Sequence, residues 1–230
     1  MKAAAIIAAA GEGLRMKSST RKQYLILEQK PVLIRSLQLF VEHEAVEQIV
    51  VVIPPGDHQE VRSMLEAYWP DQNIALVTGG DSRQESVSLG LKVISQKSGL
   101  ICIHDAARPL VSKKLLESLL AEAKKHGAAV PVLPLSDTIK EIGPEEFVLS
   151  TPSRENLRRV QTPQVFLQEI IFEAYKHAAR NNFLATDDAS LVERTGGFVK
   201  MVPGEINNLK ITSPEDLALA SIILRGVEDS

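Results

Sequence analysis

The chain has 230 residues, of which 44% are hydrophobic, with a single cysteine and a formal net charge of −3. That length holds one α/β domain or two small ones, and the apolar fraction is enough for a sizeable core. The charge excludes a general attraction to nucleic acid or membranes, no apolar run reaches the roughly 18 residues of a membrane-spanning helix, and a lone Cys102 precludes an internal disulfide, which suits a reducing compartment.

The first element, "AAAIIA" from residue 3, reads as a short buried strand. With Lys2 before it and alanines after it, the opening imitates a secretion signal, but the apolar stretch is short and mostly alanine. The strand runs into "AAAGEGLRMK". Gly11 and Gly13 fit only the start of a dinucleotide fingerprint, because position 16 is methionine, and the Walker spacing is absent. What remains is a glycine loop whose backbone can approach a phosphate chain, with Arg15 and Lys22 within reach and Lys17 and Arg21 adding charge. A solvated basic loop is the plainer alternative.

Strands and helices then alternate. "QIVVVIPP" (48–55) is a buried strand, and "DHQEVRSMLEAY" (57–68) a helix with Val61, Met64, Leu65 and Tyr68 on one face. "NIALVTGG" is a strand and its turn. Ser82 and Glu85 have capping-box spacing at the start of a helix whose stripe is Val87, Leu91 and Ile94. "GLICIHD" is a strand, "SKKLLESLLAEAKKHG" a helix closed by Gly127, and "AAVPVLPL" a further strand. This order predicts an α/β fold: a mainly parallel sheet with helices on both faces and a site at the carboxyl ends of the strands. Those ends are "AAGEG", "TGGDS" and "HDAARP". Gly79 and Gly80 can admit a flat ring, and Asp81 and Ser86 can read its polar edge. Asp105 is placed to hold a magnesium ion on phosphate oxygens. Each also reads as ordinary turn chemistry.

Residues 136–161 break the rhythm. "DTIKEI" and "FVLST" flank the turn "GPEE", which predicts a protruding β-hairpin arm that packs on a partner subunit. In "TDDAS", Thr186 is expected to cap a helix with Asp187 and Asp188 in its first turn. "SPEDLALASIILR" is a helix with Ser213 as cap, Pro214 at its first position and Asp216 completing the box. His43, His58, His126 and His177 have no metal spacing and read as surface residues. Without repeats or linkers, the chain reads as one domain, 1–230.

Together "AAAGEGLRM", "KQY", "GGDSRQESV", "HDAARP", "DTIK", "QTPQ", "TDDAS" and "NNLKITSPEDL" resemble the 2-C-methyl-D-erythritol 4-phosphate cytidylyltransferases of the non-mevalonate isoprenoid pathway, from residue 3 to about 220. The resemblance implies a Rossmann-like fold, a homodimer and transfer of CMP from CTP to a polyol phosphate, with Mg²⁺ or another divalent cation held largely by the CTP phosphates. It assigns Arg15 and Lys22 to the triphosphate and transition state, and Lys210 and Arg154 to the attacking phosphate. Ala9, Ala10, Gly11, Gly13, Gly80, Asp81 and Ser86 would surround the nucleotide, with Asp105 and Ala106 on the ribose side. Asp105, Arg108, Thr138 and Thr162 would meet the acceptor, Thr138 and Arg154 serving a neighbour's site through the arm. Arg21 stands where the family usually has proline, Ala8 where it often has proline and Asn207 near a usual aspartate. A cytidylyltransferase for another polyol phosphate, such as ribitol 5-phosphate, and a non-catalytic nucleotide-binding regulator are the competing readings. The expected location is the cytoplasm, or the plastid stroma after removal of a transit peptide.

Overall fold

Ala3, Ala5, Ile7 and Ala9 face one apolar layer, and Ala4 and Ile6 face another, so the opening strand is buried on both sides. This is the alternation of a central strand with helices above and below it. The structure is a computed structural model that describes residues 1–11, 20–95 and 98–228. Its elements in order are β1 (Ala3–Ala8), a 3₁₀ turn (Lys22–Tyr24), β2 (Ile26–Leu27), β3 (Lys30–Pro31), α1 (Val32–Glu42), β4 (Val46–Ile53), α2 (His58–Tyr68), β5 (Ile74–Thr78), α3 (Arg83–Leu91) and β6 (Leu100–Asp105). They continue with α4 (Lys113–His126), β7 (Ala128–Pro134), β8 (Glu141–Ile142), β9 (Val148–Ser150), β10 (Arg158–Val160), β11 (Gln164–Leu167), α5 (Gln168–Arg180), α6 (Asp188–Arg194), β12 (Lys200–Pro203) and α7 (Pro214–Glu228).

Among the described residues, eight strands form one sheet in the order β10-β7-β11-β6-β1-β4-β5, with β12 also on β7. β5, β4, β1 and β6 are parallel neighbours, and β12 runs parallel to β7. β11 inserts antiparallel between β6 and β7, so the sheet is mixed although mainly parallel. Helices α1, α2 and α4 cover one face through residues such as Leu37, Leu65 and Leu119, and α3, α5 and α6 cover the other through Val87, Ile171 and Val192. α7 packs apart from both, around Leu27, Val32, Ile211 and Ala220.

The local signals behave as their chemistry requires. Ser82 accepts the Glu85 amide, Ser112 accepts that of Leu115, and Gly127 closes α4 at φ 93°. At α7, Ser213 and Asp216 exchange hydrogen bonds as a capping box. Glu85 differs: its carboxylate takes the amide of Asp81 (2.8 Å), bracing the turn before the helix rather than the cap residue.

Three further expectations are corrected. In the acidic motif the cap of α6 is Asp187, not Thr186, because Asp187 accepts the amide of Ser190; Asp188 is fully buried. His43 is buried, its ring folded against the end of α1 where Nδ1 accepts the Ala45 amide. The arm ends earlier than residue 161. Arg158, Arg159 and Val160 pair with Pro134, Leu133 and Val132 in the main sheet, and Gln161 is buried, so only 136–157 leaves it. That segment does form the hairpin β8–β9, with Ile142, Phe147, Val148 and Leu149 exposed.

Candidate active site

Register aligns the strand ends. Ala8 of β1 sits opposite Val52 of β4 and Asp105 of β6, and Ile53 of β4 sits opposite Thr78 of β5. The loops leaving these ends surround a cleft of about 780 Å³, lined by Ala9, Ala10 and Gly11 after β1, by Gly79 to Arg83 and Ser86 after β5, and by Asp105 to Ala107 after β6. Lys22, in the 3₁₀ turn, and Lys210, before α7, line it as well. Of the residues expected at the site, Ala9, Ala10, Gly11, Lys22, Gly80, Asp81, Ser86, Asp105, Ala106 and Lys210 all line this cleft. Gly13, Arg15 and Lys17 lie outside the described residues.

The glycine step is built by close approach. A Cβ on Gly79 would stand 2.4 Å from the Cβ of Ala10 and 2.8 Å from Ser86 Oγ, so only glycine lets the loops after β1 and β5 meet. Ser86, buried, accepts the Gly80 amide at 3.2 Å, fixing the backbone edge that faces the cleft.

The end of β6 is a charge cluster. Asp105 Oδ1 is 3.1 Å from Arg83 Nε, and Oδ2 lies 2.8 Å from Lys210 Nζ and 3.9 Å from Arg108 Nε. Burial works to raise its pKa, but Arg83, Lys210 and Arg108 outweigh burial and hold the carboxyl far below the usual range. Arg83 is bridged in turn: its Nη2 is 2.8 Å from Asp188 Oδ2, and Tyr175 donates its hydroxyl to Asp188 Oδ1 at 2.6 Å. Burial and then the Asp188 charge push the Tyr175 phenol upward, so it stays a donor.

Behind Asp105, its backbone amide donates to Thr162 Oγ1 (3.0 Å), which leaves the threonine proton for His104 Nδ1 (3.1 Å), while His104 Nε2 faces the Arg108 carbonyl (3.0 Å). This pattern requires a neutral imidazole, and burial lowers the His104 pKa to about 4. Thr162 was expected to line the pocket; it stands behind the wall and holds it. Arg108 is placed similarly, its Nη1 donating to the Asn208 carbonyl at 2.7 Å, while its buried Nε has no hydrogen-bond partner among the described residues. The segment carrying Lys210 is fixed to the turn after β6 by Ile211 N–H on the Ala107 carbonyl (2.8 Å), and to the residues before β11 by the buried Asn208 amide on the Thr162 carbonyl (2.9 Å).

Thr138 and Arg154 are not brought to this cleft. Both are exposed on the arm, where Arg154 donates to the Ser136 carbonyl. Nor do the described residues build a metal cage: no three His, Cys, Asp or Glu side chains among them converge, and both Asp105 oxygens already face cations. These surroundings suit a carboxylate that positions cations better than one that holds a resident metal ion.

The sequence profile of the 2-C-methyl-D-erythritol 4-phosphate cytidylyltransferases matches residues 3–226. The chain belongs to this family. A cytidylyltransferase of that name from Alkaliphilus oremlandii is 41% identical over 225 residues, 97% of this chain and 95% of the relative. One from Pelotomaculum thermopropionicum is 42% identical, covering 98% and 95%. Among solved structures, the 4-diphosphocytidyl-2C-methyl-D-erythritol synthase of Anaerococcus prevotii superposes with a TM-score of 0.85 at 32% identity, over 97% of this chain and 98% of that one. The 2-C-methyl-D-erythritol 4-phosphate cytidylyltransferase of Thermus thermophilus gives 0.79 at 35%, over 98% and 100%.

In the sequence of this cytidylyltransferase-family chain nothing singled out Arg83 or Asn208, and Asp188 read only as a first-turn residue of α6. Arg83 carries only a general signal. It opens α3, where the helix dipole disfavours a cation, which marks it for a compensating carboxylate without saying which one.

Proposed function

We propose that the chain transfers CMP from CTP to 2-C-methyl-D-erythritol 4-phosphate, releasing pyrophosphate and forming 4-diphosphocytidyl-2-C-methyl-D-erythritol. The observation that carries this reading is the cleft itself, at the carboxyl ends of the strands, which brings together the glycine step, Lys22 and the Lys210–Asp105 pair. Asp81, Ser86 and the Gly80 backbone read cytosine, and Asp105 and Ala106 take the ribose side. Lys22 lies along the triphosphate, the role that the family resemblance also assigns to Arg15.

An anionic oxygen of the acceptor phosphate attacks the α-phosphorus, and the bond from that phosphorus to the bridging oxygen of pyrophosphate breaks. No proton must be removed from the nucleophile, so no strong general base is needed. The task is to bring two anions together and to stabilise the crowded, negatively charged transition state, which positioned cations do. Lys22 faces the transferring and leaving phosphates. Lys210, which pairs with Asp105, turns to the acceptor phosphate, while Arg108 braces the Asn208 segment from behind the wall. A divalent cation would be held largely by the CTP phosphates and would neutralise part of their charge.

In this reading the chain is one nucleotidyltransferase domain in the cytoplasm. It works as a homodimer in which the arm reaches the neighbouring cleft, bringing Thr138 and Arg154 to the acceptor. Pyrophosphate release, measured with CTP, UTP and ATP against methylerythritol phosphate and ribitol 5-phosphate, tests it. CTP with methylerythritol phosphate should be fastest. UTP and ATP should be slower by on the order of a hundredfold or more, because buried groups set for cytosine are left unpaired. Preference for ribitol 5-phosphate would overturn the acceptor, equal rates with ATP the base site, and nucleotide binding without turnover would favour a regulator.

A further inference from the structure

The short segment that carries Lys22 is fastened on two sides. On one, the buried Gln23 amide donates to the carbonyls of Ala9 (2.7 Å) and Gly11 (3.3 Å), tying it to the end of β1. On the other, Asp57 receives the Tyr24 hydroxyl on Oδ2 at 2.8 Å and holds Arg21 Nε 3.1 Å from the same oxygen. Asp57 stands at the N-cap position of α2, yet no backbone amide of that helix donates to its side chain. A residue type favoured there for capping is turned instead toward the neighbouring segment. Its side chain is only 15% exposed, and one of its oxygens, Oδ2, takes both donors. Burial and then Asp57 push the Tyr24 phenol upward, which keeps it a donor.

Arg21 adds a second clue. Its backbone lies at φ −61° and ψ 138°, the φ that a proline ring imposes. An ion pair to Asp57 therefore stabilises a conformation that a ring could fix covalently. Unlike a ring, the pair is weakened by salt.

We propose that Asp57 is a positioning residue for Lys22: it clamps Arg21 and Tyr24, on either side of the lysine, and Arg21 is the salt-sensitive half of the clamp. The inference rests on the reading that Lys22 faces the phosphates. A cation that acts on the transition state must sit accurately, and displacement by an ångström can cost up to about a hundredfold. Loosening the clamp should therefore lower kcat and leave the KM for CTP nearly unchanged.

The test compares Asp57→Ala, Asp57→Asn, Tyr24→Phe, Arg21→Ala and Arg21→Pro with Lys22→Ala in steady-state pyrophosphate release, with thermal melting of each. Asp57→Ala should lose roughly tenfold in kcat, with KM for CTP within about twofold. Asp57→Asn, which keeps an acceptor for Tyr24, should lose less, and Tyr24→Phe and Arg21→Ala should lose about threefold to fivefold each. Arg21→Pro should recover most of what Arg21→Ala loses. Its rate relative to wild type should rise between about 0.05 and 0.5 M NaCl, because only the wild type relies on a screened pair. If Arg21→Pro is as impaired as Arg21→Ala at every salt concentration, Arg21 acts through its guanidinium and the clamp is wrong. If Asp57→Ala keeps full kcat while Lys22→Ala is inactive, the clamp is overturned and the phosphate reading stands. If Lys22→Ala is itself active, the underlying reading has failed.

Discussion

Asp105, at the end of β6, is 7% exposed and meets Arg83, Lys210 and Arg108, with Thr162 bound to its amide. Thr138 and Arg154, on the arm, are exposed, and Arg154 bonds to Ser136 of the arm itself. The cleft residues thus have positions determined by their own chain, several times over. The arm residues have positions determined by a hairpin whose apolar side chains, from Phe147 to Leu149, face outward. A second copy of the chain would supply what the arm lacks: a surface for those side chains and a cleft for its polar ones. Variants on the two sides should accordingly fail in different ways.

The largest effect is expected in the cleft. Lys22→Ala should reduce turnover by roughly a hundredfold or more, since it removes a cation from the transition state. Melting should be unchanged, because a half-buried lysine at the cleft holds no core; near-normal turnover would contradict its assigned role.

Arg154→Ala should also be severely impaired, but its defect should be repairable by another chain. When Lys22→Ala and Arg154→Ala subunits exchange, a mixed dimer has one site with both defects and one with neither. Random exchange makes about half of the dimers mixed, each with one good site, so about a quarter of wild-type activity should return. No recovery in verified mixed dimers would place Arg154 in its own subunit's site, or in the fold, and erase the distinction between arm and cleft.

The third effect is on stability. Removing Arg83 leaves Asp188, 1% exposed, without its cation. Breaking a buried pair from one side costs about 3–5 kcal/mol, less where one partner reaches solvent as Arg83 does, so Arg83→Ala should lose about 2–3 kcal/mol in denaturant unfolding. Adding Asp188→Asn should restore part of it. No arm substitution should cost as much.

The smallest effect depends on pH. His104 is neutral in the fold down to about pH 4, whereas in the unfolded chain it takes a proton near its ordinary value of 6.5. Between those values the unfolded chain binds more protons, so stability is full above about 6.5 and declines as pH falls. At pH 5 the loss from this residue should be about 2 kcal/mol. His104→Phe should remove that slope; an unchanged slope would show that the imidazole does not titrate as described. Asp105 adds a loss at still lower pH, since its carboxyl is held below the usual range.

What could be read from the sequence follows the same division. β1, β6 and α4 were legible because each announces itself locally, by an apolar run or by a cap and a closing glycine. The motifs at the strand ends marked the cleft for the same reason. The Arg83–Asp188 bridge was not legible, because it joins residues 105 apart and exists only once α3 and α6 pack on one face. Nor was the work of Thr162, whose hydroxyl lies behind Asp105 only because β11 inserts antiparallel beside β6. The arm was visible as a break in rhythm, but its end was misplaced. "RRV" has too little apolar character to look like a strand, and pairing with β7 makes it one.

The claim beneath all of this is that CMP moves from CTP to a polyol phosphate. Phosphorus NMR of the purified chain mixed with CTP and 2-C-methyl-D-erythritol 4-phosphate tests it most directly. The account predicts that the acceptor monoester signal disappears as a diphosphate diester and pyrophosphate grow in equal amounts. Hydrolysis of CTP with the acceptor untouched, or no change at all, would contradict it.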